Sequence, residues 1–488
     1  MSVTNVNVTN AIHTVPGLRI GARWVAETAA GSVPVHDPAS GAVIGAMPVA
    51  GPAEVDAAAA AAAAAFAGWK RRTPLERFQV ITAATALLRQ RAAAIAAVLT
   101  REQGKPLAEA ERELRLAADI IDFLAEEAKR LAARGVPPRT AGVASQTVLR
   151  VPVGPVAAFT PWNFPANLPA RKIGAALAAG CSVVIRPDER TPFTCVEIVR
   201  AFVDAGLPDG VLNLVAGPPA PISAALVADD RIAKLSFTGS VAVGRALGEL
   251  AARHGKRYTA ELGGHAPAIV CTDADAAAVA ALAVAAKYRN AGQVCASPIR
   301  FLVQRRRYAE FAAAFTAGAR ALRVGPGAEP GTQMGPLVDA ARVQQMRSFI
   351  DDALAHGGRL VCGGERLARP GAFFAPTVLE AVPAAARVQR EEPFGPIAVL
   401  DAFDDLDEAI ARANALPYGL AAYAFTNDLR AATKLADALD AGMVGINHFG
   451  VSQPETPFGG VKASGVGHES GLEGLLACTE VKLVSVAA

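Results

Sequence analysis

Four short apolar segments alternate with helical segments in the middle of this chain. The apolar segments lie at residues 156–159, 182–186, 211–215 and 232–237. Strands and helices that take turns at this spacing favour a parallel, doubly wound α/β sheet. Because such sheets bind their ligands beyond the carboxyl ends of the strands, we expect functional residues in the loops that follow these segments.

A second α/β unit is expected in the C-terminal half. Its pattern predicts strands at 299–304 and 397–400 and helices at 307–323, 339–356 and 405–415. Two α/β units in one chain of 488 residues, 52% of them hydrophobic, indicate two or three domains with large cores.

The N-terminal part is predicted to be mainly helical. Nine consecutive alanines at residues 57–65 suit a helix, because alanine is the best helix former. Within residues 73–132, Phe78, Ile81 and Leu88 recur at the spacing of an amphipathic helix. We assign this block to packing rather than to chemistry.

Charge and cysteine positions exclude several classes of function. The formal net charge is only +3 and no basic stripe is present, so we expect no nucleic-acid partner. The six cysteines show neither CxxC spacing nor a cluster with histidine, so we expect no metal site. The polar N-terminus and the lack of an apolar stretch of about 20 residues favour a reduced, cytoplasmic protein without a membrane span.

One cysteine follows a helix end where the backbone must become irregular. An Ala-rich helix at about 275–288 stops at residues 290–292, Cys295 follows, and Ser297-Pro298 cannot continue a helix. An isolated cysteine is most often a small buried hydrophobe. A turn that is fixed yet open to a substrate suits a nucleophile, so Cys295 is the candidate.

Loops after the strands of the first unit contain the next candidates. Asn163 lies in a Pro-rich loop, where its amide is either a turn former or a donor to an oxyanion. Gly239 and Gly244 open a helix whose N–H groups can approach a pyrophosphate, although the G-x-G-x-x-G pattern is absent. Glu261, at a strand end, is either an ordinary ion-paired carboxylate or a functional one.

Six motifs occur in one order along the chain. They are TPWNFP at 160–165, FTGS at 237–240 followed by Gly244, ELGG at 261–264, GQxC at 292–295, ExFGP at 392–396 and PFGGxK at 457–462. In this order they resemble the aldehyde dehydrogenase superfamily over essentially the whole chain, most closely its succinate-semialdehyde dehydrogenase branch. Each motif alone is weakly specific, but six in register are very specific.

This resemblance implies an α/β fold of three parts: a Rossmann-like cofactor domain, a catalytic α/β domain and a small β oligomerisation arm. The implied boundaries are 1–131 and 152–262 for the cofactor domain, 263–463 for the catalytic domain, and 132–151 and 464–488 for the arm. It also implies a homodimer or homotetramer. The last strand has no hairpin neighbour, so it and the strand at 145–151 are candidates for pairing across subunits.

The resemblance also implies the roles of the candidate residues. Cys295, as a thiolate, attacks an aldehyde carbon, and the Asn163 amide and the Cys295 N–H hold the oxyanion. Glu261 activates a water that hydrolyses the thioester. Gly263 and Gly264 are expected to leave room for the Glu261 side chain to move.

NAD is the expected cofactor, with NADP as the alternative. By position, the resemblance assigns cofactor binding to Thr160, Pro161, Trp162, Asn163, Arg186, Glu189, Gly217, Phe237, Gly239, Ser240, Val243, Leu262, Glu392 and Phe394. A carboxylate at Glu189 accepts bonds from ribose hydroxyls and repels a 2′-phosphate, which favours NAD. Arg186 stands where the family usually has lysine, and with Arg190 it offers guanidinium groups that suit NADP.

The expected substrate is succinate semialdehyde, which carries a carboxylate distal to the aldehyde. The resemblance assigns Arg171 and Arg289 to that carboxylate, Ser452 to a further polar contact and Phe458 to an apolar wall. Glutarate or 2-oxoglutarate semialdehyde would suit the same residues and stay as alternatives. Ser297 occupies the place where many relatives have a second cysteine, so no redox switch is expected.

Two further alternatives change the class of function. A CoA-acylating or purely esterolytic enzyme would not form a free acid together with a reduced cofactor, and the base Glu261 argues against the former. A non-catalytic protein that kept the fold predicts loss of Cys295, Glu261 or Asn163, and all three are present.

Overall fold

A computed structural model describes residues 17–487 of the chain. The strands are β1 (Leu18–Ile20), β2 (Arg23–Val25), β3 (Ser32–His36), β4 (Val43–Pro48), β5 (Arg134–Gly135), β6 (Val143–Pro152), β7 (Val156–Phe159), β8 (Val183–Arg186), β9 (Leu212–Leu214), β10 (Lys234–Thr238), β11 (Arg257–Glu261), β12 (Ala266–Val270), β13 (Pro298–Gln304), β14 (Arg359–Cys362), β15 (Thr377–Glu380), β16 (Ile397–Phe403), β17 (Ala421–Phe425), β18 (Met443–Ile446), β19 (Gly465–Val466) and β20 (Thr479–Ala487).

The helices alternate with these strands through most of the chain. They are α1 (Pro52–Trp69), α2 (Pro74–Gln90), α3 (Ala92–Gln103), α4 (Leu107–Ala128), α5 (Asn167–Ala179), α6 (Phe193–Asp204), α7 (Pro219–Ala228), α8 (Val241–Arg253), α9 (Ala276–Tyr288), α10 (Arg305–Ala321), α11 (Ala340–Ala355), α12 (Leu406–Asn414), α13 (Leu429–Ala438) and α14 (Gly471–Leu476). Short 3-10 turns lie at Arg289–Gly292, Arg387–Gln389 and Lys462–Ser464.

The first large sheet confirms the predicted doubly wound unit. Its eight strands run in the order β19-β11-β10-β7-β8-β9-β1-β2. The five strands from β11 to β9 are parallel, and the antiparallel strands β19, β1 and β2 extend the two edges. Every residue of β7, β8 and β10 is buried, as is typical of parallel strands covered on both faces.

The second large sheet contains the C-terminal α/β unit. Its seven strands run in the order β14-β15-β16-β13-β12-β17-β18, and all neighbours except β14 and β15 are parallel. The segment with Cys295 connects α9 to β13 in this sheet. The carboxyl ends of β10 and β11 in the first sheet therefore supply one group of loops, and the second sheet supplies the cysteine.

The three-stranded sheet gives the terminal strand a partner within the chain. Its order is β20-β6-β5, and β20 pairs antiparallel with β6 of the same chain from Thr479 opposite Pro152. The terminal strand therefore does not need a second subunit to find a partner. In addition, residues 465–466, which we assigned to the arm, form β19 and pair with β11 in the first sheet.

Helix α5 is buried along its entire length, which fixes the side chains that it presents. A Cβ added to Gly174 would lie 3.2 Å from a Leu124 methyl and 3.3 Å from the Ile121 Cα, so glycine permits close packing against α4. Pro169 is tolerated because the first turn of a helix has no intrahelical use for its N–H groups. Arg171 and its neighbours are thus held by the core rather than by a mobile loop.

Two absences can be stated for residues 17–487. None of their helices is long and apolar enough to cross a membrane. Their His, Cys, Asp and Glu side chains form no group of three or more that could hold a metal ion.

Candidate active site

A cavity of about 420 Å³ opens between the two large sheets. Its wall contains the three candidate catalytic residues and the four candidate substrate residues: Asn163, Glu261, Cys295, Arg171, Arg289, Ser452 and Phe458. The structure thus brings together side chains that are far apart in the sequence. We call this space the central cavity.

The turn that carries Cys295 is irregular, as the sequence predicts. Asn290 and Ala291 have positive φ values of 50° and 53°, and the Ser297 N–H donates to the Val294 carbonyl oxygen at 3.0 Å. A Cβ on Gly292 would lie 2.1 Å from the Gly395 carbonyl oxygen, so only glycine allows this approach. Cys295 remains partly exposed to the cavity, whereas a purely structural cysteine would be sealed.

Asn163 is hydrogen-bonded to two residues of this turn, Asn290 and Gln293. Its Nδ2 donates to the Gln293 carbonyl oxygen at 3.1 Å, and its own carbonyl oxygen accepts from Asn290 Nδ2 at 2.9 Å. The second hydrogen on Nδ2 has no protein acceptor within residues 17–487. That hydrogen is available to an oxyanion beside Cys295.

Glu261 is the last residue of β11 and is only 2% exposed. Neither of its carboxylate oxygens has a hydrogen-bond partner within the described residues. Burial, and secondarily the negative charge of Glu469, raise the pKa of Glu261 well above its usual range, while Lys172 and Arg171 oppose the shift. A buried carboxyl group without protein partners is typical of a functional acid or base.

The environment also holds Cys295 in its thiol form. Burial raises the pKa of Cys295 to about 12, with further contributions from Glu392 and Glu261, and Arg171 acts in the opposite direction. Burial likewise raises the pKa of Glu392 to about 8. A positive charge near the sulfur is therefore needed to produce a thiolate at neutral pH.

Gly263 and Gly264 follow Glu261, and their lack of a side chain allows two other groups to approach closely. A Cβ on Gly263 would lie 2.2 Å from Glu392 Oε2, and a Cβ on Gly264 would lie 2.9 Å from the Cys295 carbonyl oxygen. The glycines therefore admit Glu392 and the nucleophile turn. The room that we expect them to leave for movement of Glu261 stays a prediction.

Arg171 lies at one end of the central cavity and is 3% exposed. Its Nη1 donates to Ser470 Oγ at 2.5 Å and its Nη2 to Ser452 Oγ at 2.7 Å. The guanidinium carbon lies 4.4 Å above the Phe458 ring centroid. Among residues 17–487 it has two hydroxyl partners but no ion-pair partner, which is unusual for a buried cation.

Arg289 also lines the cavity, but it is exposed. Its guanidinium carbon lies 5.7 Å from the Phe164 ring centroid. The two arginines predicted from the sequence are therefore not equivalent, because one is fixed in the core and the other lies where solvent reaches it.

Most of the expected cofactor residues face the same cavity. Its wall includes Pro161, Trp162, Asn163, Gly239, Ser240, Leu262, Glu392 and Phe394. Ser240 caps α8, with its Oγ accepting the Val243 N–H at 3.4 Å, and the buried Thr238 hydroxyl there has no protein partner within the described residues. A helix N-terminus after a parallel strand, with an unpaired hydroxyl beside it, fits the phosphates of a dinucleotide.

The remaining expected cofactor residues lie outside the wall of the central cavity. Thr160 directly follows β7 and donates its N–H to the Arg186 carbonyl oxygen, Val243 is exposed in the first turn of α8, and the Phe237 ring lies against Gly239. Thr160 and Val243 follow the carboxyl ends of β7 and β10, and Phe237 is the second-last residue of β10, so all three remain at the edge where the sequence placed them.

Arg186, Glu189 and Gly217 form a cluster after β8. Arg186 donates from Nη2 to the Gly217 carbonyl oxygen at 2.7 Å and pairs with Glu189. Arg190, in contrast, is held by Asp188 at 2.8 Å and by Asp339 at 3.2 Å. The Arg190 guanidinium is therefore already neutralised, which removes part of the argument that it suits a 2′-phosphate.

Two buried ion pairs next to the site were not anticipated from the sequence. Lys172 pairs with Glu469 beside Glu261, and Lys105 pairs with Glu113 while donating to the Asn163 carbonyl oxygen at 2.8 Å. The helical block before residue 132 therefore serves the site as well as the packing, which corrects our assignment. Two consecutive cations in α5, whose other residues are apolar apart from Asn167, were the available signal for Lys172.

The fold and the cavity define a class of protein. It is an α/β oxidoreductase in which a cysteine faces the dinucleotide-binding edge of a parallel sheet. The chain belongs to the aldehyde dehydrogenase family, whose model matches residues 24–484. It is thus an NAD(P)-dependent aldehyde dehydrogenase, and the predicted family and fold are confirmed.

Known relatives resemble the chain over nearly its full length. A putative 4-(hydroxymethyl)benzenesulfonate dehydrogenase of Comamonas testosteroni is 45% identical, covering 98% of this chain and 99% of the relative. A succinate-semialdehyde dehydrogenase of Escherichia coli, named for NADP(+), is 40% identical, covering 96% and 97%. The crystal structure of succinate-semialdehyde dehydrogenase from Burkholderia pseudomallei superposes with a TM-score of 0.95 at 43% identity, covering 97% and 98%.

Proposed function

We propose that this enzyme oxidises short aldehydes that carry a distal anion, with succinate semialdehyde converted to succinate as the first candidate. The observation that carries this proposal is Arg171. A guanidinium that is 3% exposed, preorganised by two serine hydroxyls and without a carboxylate partner among residues 17–487 favours binding of an anion from the substrate. The name of the Escherichia coli relative supports the same substrate.

The chemistry we propose begins at Cys295. Its sulfur attacks the aldehyde carbon, and the free Nδ2 hydrogen of Asn163 and the Cys295 N–H stabilise the negative charge on the oxygen. When bound, the oxidised nicotinamide supplies a positive charge beside the sulfur and accepts the hydride from the former aldehyde carbon. The cysteine is left as a thioester.

Glu261 is the proposed general base for the second half of the reaction. Its carboxylate takes a proton from a water that attacks the thioester carbon, and the free acid and the Cys295 thiol are the products. Both carboxylate oxygens are buried in the cavity wall without a protein partner, and a bound water is the partner that we propose for them. The Lys172–Glu469 ion pair places one positive and one negative charge next to the Glu261 carboxylate.

For the cofactor we propose NAD in preference to NADP. Glu189 follows β8, and its side chain is 40% exposed, so the adenine ribose of a bound cofactor can reach it. The ion pair with Arg186 leaves this side chain partly exposed. The neutralised Arg190 offers little to a 2′-phosphate. NADP remains the alternative, and Kd values of both cofactors from quenching of protein fluorescence would separate the two.

Other anionic aldehydes are the alternative substrates. Glutarate and 2-oxoglutarate semialdehydes present the same carboxylate to Arg171 on a longer chain. A sulfonate is the second candidate anion, because the Ser452 hydroxyl beside Arg171 adds a donor for a third oxygen and one relative is named for a sulfonate. A non-catalytic or CoA-acylating protein would leave the unpaired Glu261 without a use.

We also propose that the three-stranded sheet contacts a second subunit. Val481, Leu483 and Val486 on β20 are 59%, 58% and 50% exposed, which is costly for apolar side chains on an edge strand. The domain boundaries implied by the resemblance remain part of this proposal, with residues 465–466 moved to the cofactor domain. Sedimentation of a Leu483→Glu variant would report on the contact.

The decisive experiment compares initial rates of NADH formation across aldehyde acids of three to six carbons. Butanal and pentanal serve as uncharged controls of matched length, and 3-sulfopropanal serves as the sulfonate. We expect kcat/KM for the anionic aldehydes to exceed that for the uncharged ones by roughly 10²-fold. A preference for the uncharged aldehydes would contradict the proposal.

A further inference from the structure

The wall of the central cavity contains polar atoms that have no partner in the protein. Within residues 17–487 they belong to Asn163, Asn167, Thr238, Glu261 and Arg342. Unpaired buried polar atoms are rare in proteins, and those in a cavity wall usually meet a ligand or an ordered water. Glu261 is used by the proposed chemistry, whereas the unpaired atom of Asn163 is Oδ1 and the chemistry uses its Nδ2. Thr238 precedes Ser240 by two residues, and Arg342 is close enough to Glu392 for its charge to oppose the rise that burial causes in the pKa of that carboxyl group. The proposed chemistry assigns no role to Asn167.

Asn167 is buried in the wall of the site and is not a surface residue at its edge. It is 8% exposed, it is the first residue of the buried helix α5, and its N–H donates to Glu113 Oε1 at 3.2 Å. Its side-chain Oδ1 accepts no hydrogen bond within the described residues. The core therefore fixes the backbone of Asn167, and its side chain lines the central cavity with an amide oxygen that is buried and has no protein partner.

The position of Asn167 relative to Arg171 determines which part of a bound substrate lies near the Asn167 amide group. The two residues lie four apart on one helix, so their Cβ atoms are about 5–6 Å apart on the same face. Asn163, the proposed oxyanion donor, precedes them in the chain and faces the same cavity. All three residues line the central cavity, so a substrate held by its aldehyde oxygen at Asn163 and its anion at Arg171 is within the cavity that Asn167 also lines.

We propose that Asn167 is a specificity-determining residue that hydrogen-bonds a hydroxyl group carried by the substrate between its aldehyde carbon and its distal anion. This inference rests on the proposed function, because it takes the distal anion to lie at Arg171. The amide oxygen accepts the hydroxyl hydrogen, and the amide nitrogen can donate to the hydroxyl oxygen. Sites with polar groups of this kind discriminate strongly against analogues that leave them unpaired.

The helical spacing limits where the hydroxyl sits. Because the two side chains start about 5–6 Å apart on one face, a hydroxyl that meets Asn167 is close along the substrate to the anion that meets Arg171. We therefore place the hydroxyl on the carbon that carries the anionic group or on the next carbon toward the aldehyde. The substrate class is a short hydroxyaldehyde with an anionic end, and the anion is a carboxylate or a sulfonate.

The test uses 4-oxobutanoate and its 2-hydroxy and 3-hydroxy derivatives, which share chain length and charge. For the native enzyme we expect kcat/KM for at least one hydroxylated substrate to be roughly tenfold higher or more. Asn167→Ala should lower that value about tenfold and change the value for 4-oxobutanoate less than twofold. Leu168→Ala, next to it in the cavity wall, is the matched control and should affect all three substrates by the same factor.

A binding measurement removes the dependence on turnover. Malate and succinate are dead-end analogues of the hydroxylated and unsubstituted products, so their inhibition constants report on the same contact. We expect malate to bind more tightly than succinate to the native enzyme, and the difference to vanish in Asn167→Ala. If native enzyme shows no preference for either hydroxylated substrate, or if Asn167→Ala weakens all ligands equally, Asn167 meets only water and the inference is wrong.

Failure of the inference is separable from failure of the proposed function. Equal use of 4-oxobutanoate and its hydroxy derivatives, with all three preferred over butanal, overturns the role of Asn167 and keeps the anion at Arg171. If butanal is preferred over all three acids, the proposed function fails. Butanal and 3-hydroxybutanal then form the pair that tests Asn167, and equal rates for them overturn its role as well.

Discussion

Asn163 donates its Nδ2 hydrogen to the carbonyl oxygen of Gln293 at 3.1 Å, so the candidate oxyanion donor is fastened to the turn that carries the nucleophile. The bond fixes the amide plane before any substrate arrives. A donor that needs no reorganisation contributes most to the stabilisation of a developing charge.

Replacement of Asn163 by alanine should therefore lower kcat by roughly 10²–10³-fold, because one oxyanion donor is lost. The measurement is the steady-state rate with 4-oxobutanoate, and a thermal unfolding curve confirms that the variant is folded. A kcat within threefold of the native value would show that the amide does not meet the oxyanion.

Glu261→Gln should separate the two halves of the reaction. The first turnover should release NADH in a burst, and the thioester on Cys295 should persist and add the acyl mass to the protein in mass spectrometry. In the native enzyme hydrolysis should accelerate with rising pH, because burial and then Glu469 raise the pKa of Glu261 and the base is the deprotonated form. Unchanged steady-state turnover in the variant would remove Glu261 from the mechanism.

Arg171→Gln and Arg289→Gln should differ in effect. Loss of the buried guanidinium should lower kcat/KM for 4-oxobutanoate roughly 10²-fold and leave that for butanal within a few-fold. Loss of the exposed Arg289 should lower kcat/KM for 4-oxobutanoate less than tenfold, because solvent screens an exposed charge. Equal losses in the two variants would contradict the distinction between a fixed and a solvated arginine.

The reactivity of Cys295 without cofactor should depend steeply on pH. Burial, Glu392 and Glu261 raise the pKa of Cys295 to about 12, so the thiolate fraction should rise about tenfold per pH unit from pH 7 to pH 10. Alkylation by iodoacetamide, followed on the Cys295 peptide by mass spectrometry, reports this fraction, and a Cys295→Ser variant corrects for the other thiols. A rate that levels off below pH 9 would indicate an ordinary thiol.

Lys105→Met should destabilise the protein and slow the reaction together. It leaves the buried carboxylate of Glu113 without its cation, which costs about 3–5 kcal/mol, and it removes the bond to the Asn163 carbonyl oxygen. The double variant Lys105→Met/Glu113→Gln should recover part of the thermal stability but not the rate. A single variant with native thermal stability would show that the pair contributes little to the fold.

The sequence was sufficient for the fold because its signals are local. Apolar segments, helix breaks such as Gly104-Lys105-Pro106 and the order of short motifs identify the strands, helices and family without any knowledge of contacts. The residues at the carboxyl ends of parallel strands follow directly, since those ends meet at one edge. Asn163 and Glu261 were identified in this way, and Cys295 was identified from the helix end before β13. The resemblance assigned their roles, and the structure brings all three into one cavity.

The remaining features depend on pairings that no local pattern encodes. Lys172 and Glu469 are 297 residues apart, and Lys105 and Asn163 are 58 apart, so only the folded chain reveals these contacts. The same limit explains why the close approach of Glu392 to Gly263 could not be foreseen, since the two residues are distant in the sequence. Asn167 attracted no attention because an asparagine at a helix start is ordinary until its side chain is seen to lack a partner.

The connection from Ser470 to the terminal strand has a practical consequence. Only α14 separates the residue that holds Arg171 from β20, which carries the exposed apolar side chains. A purification tag or a fluorescent protein fused to the C-terminus would be attached to a strand one short helix away from the substrate anchor. Expression vectors for kinetic work should place such fusions at the N-terminus.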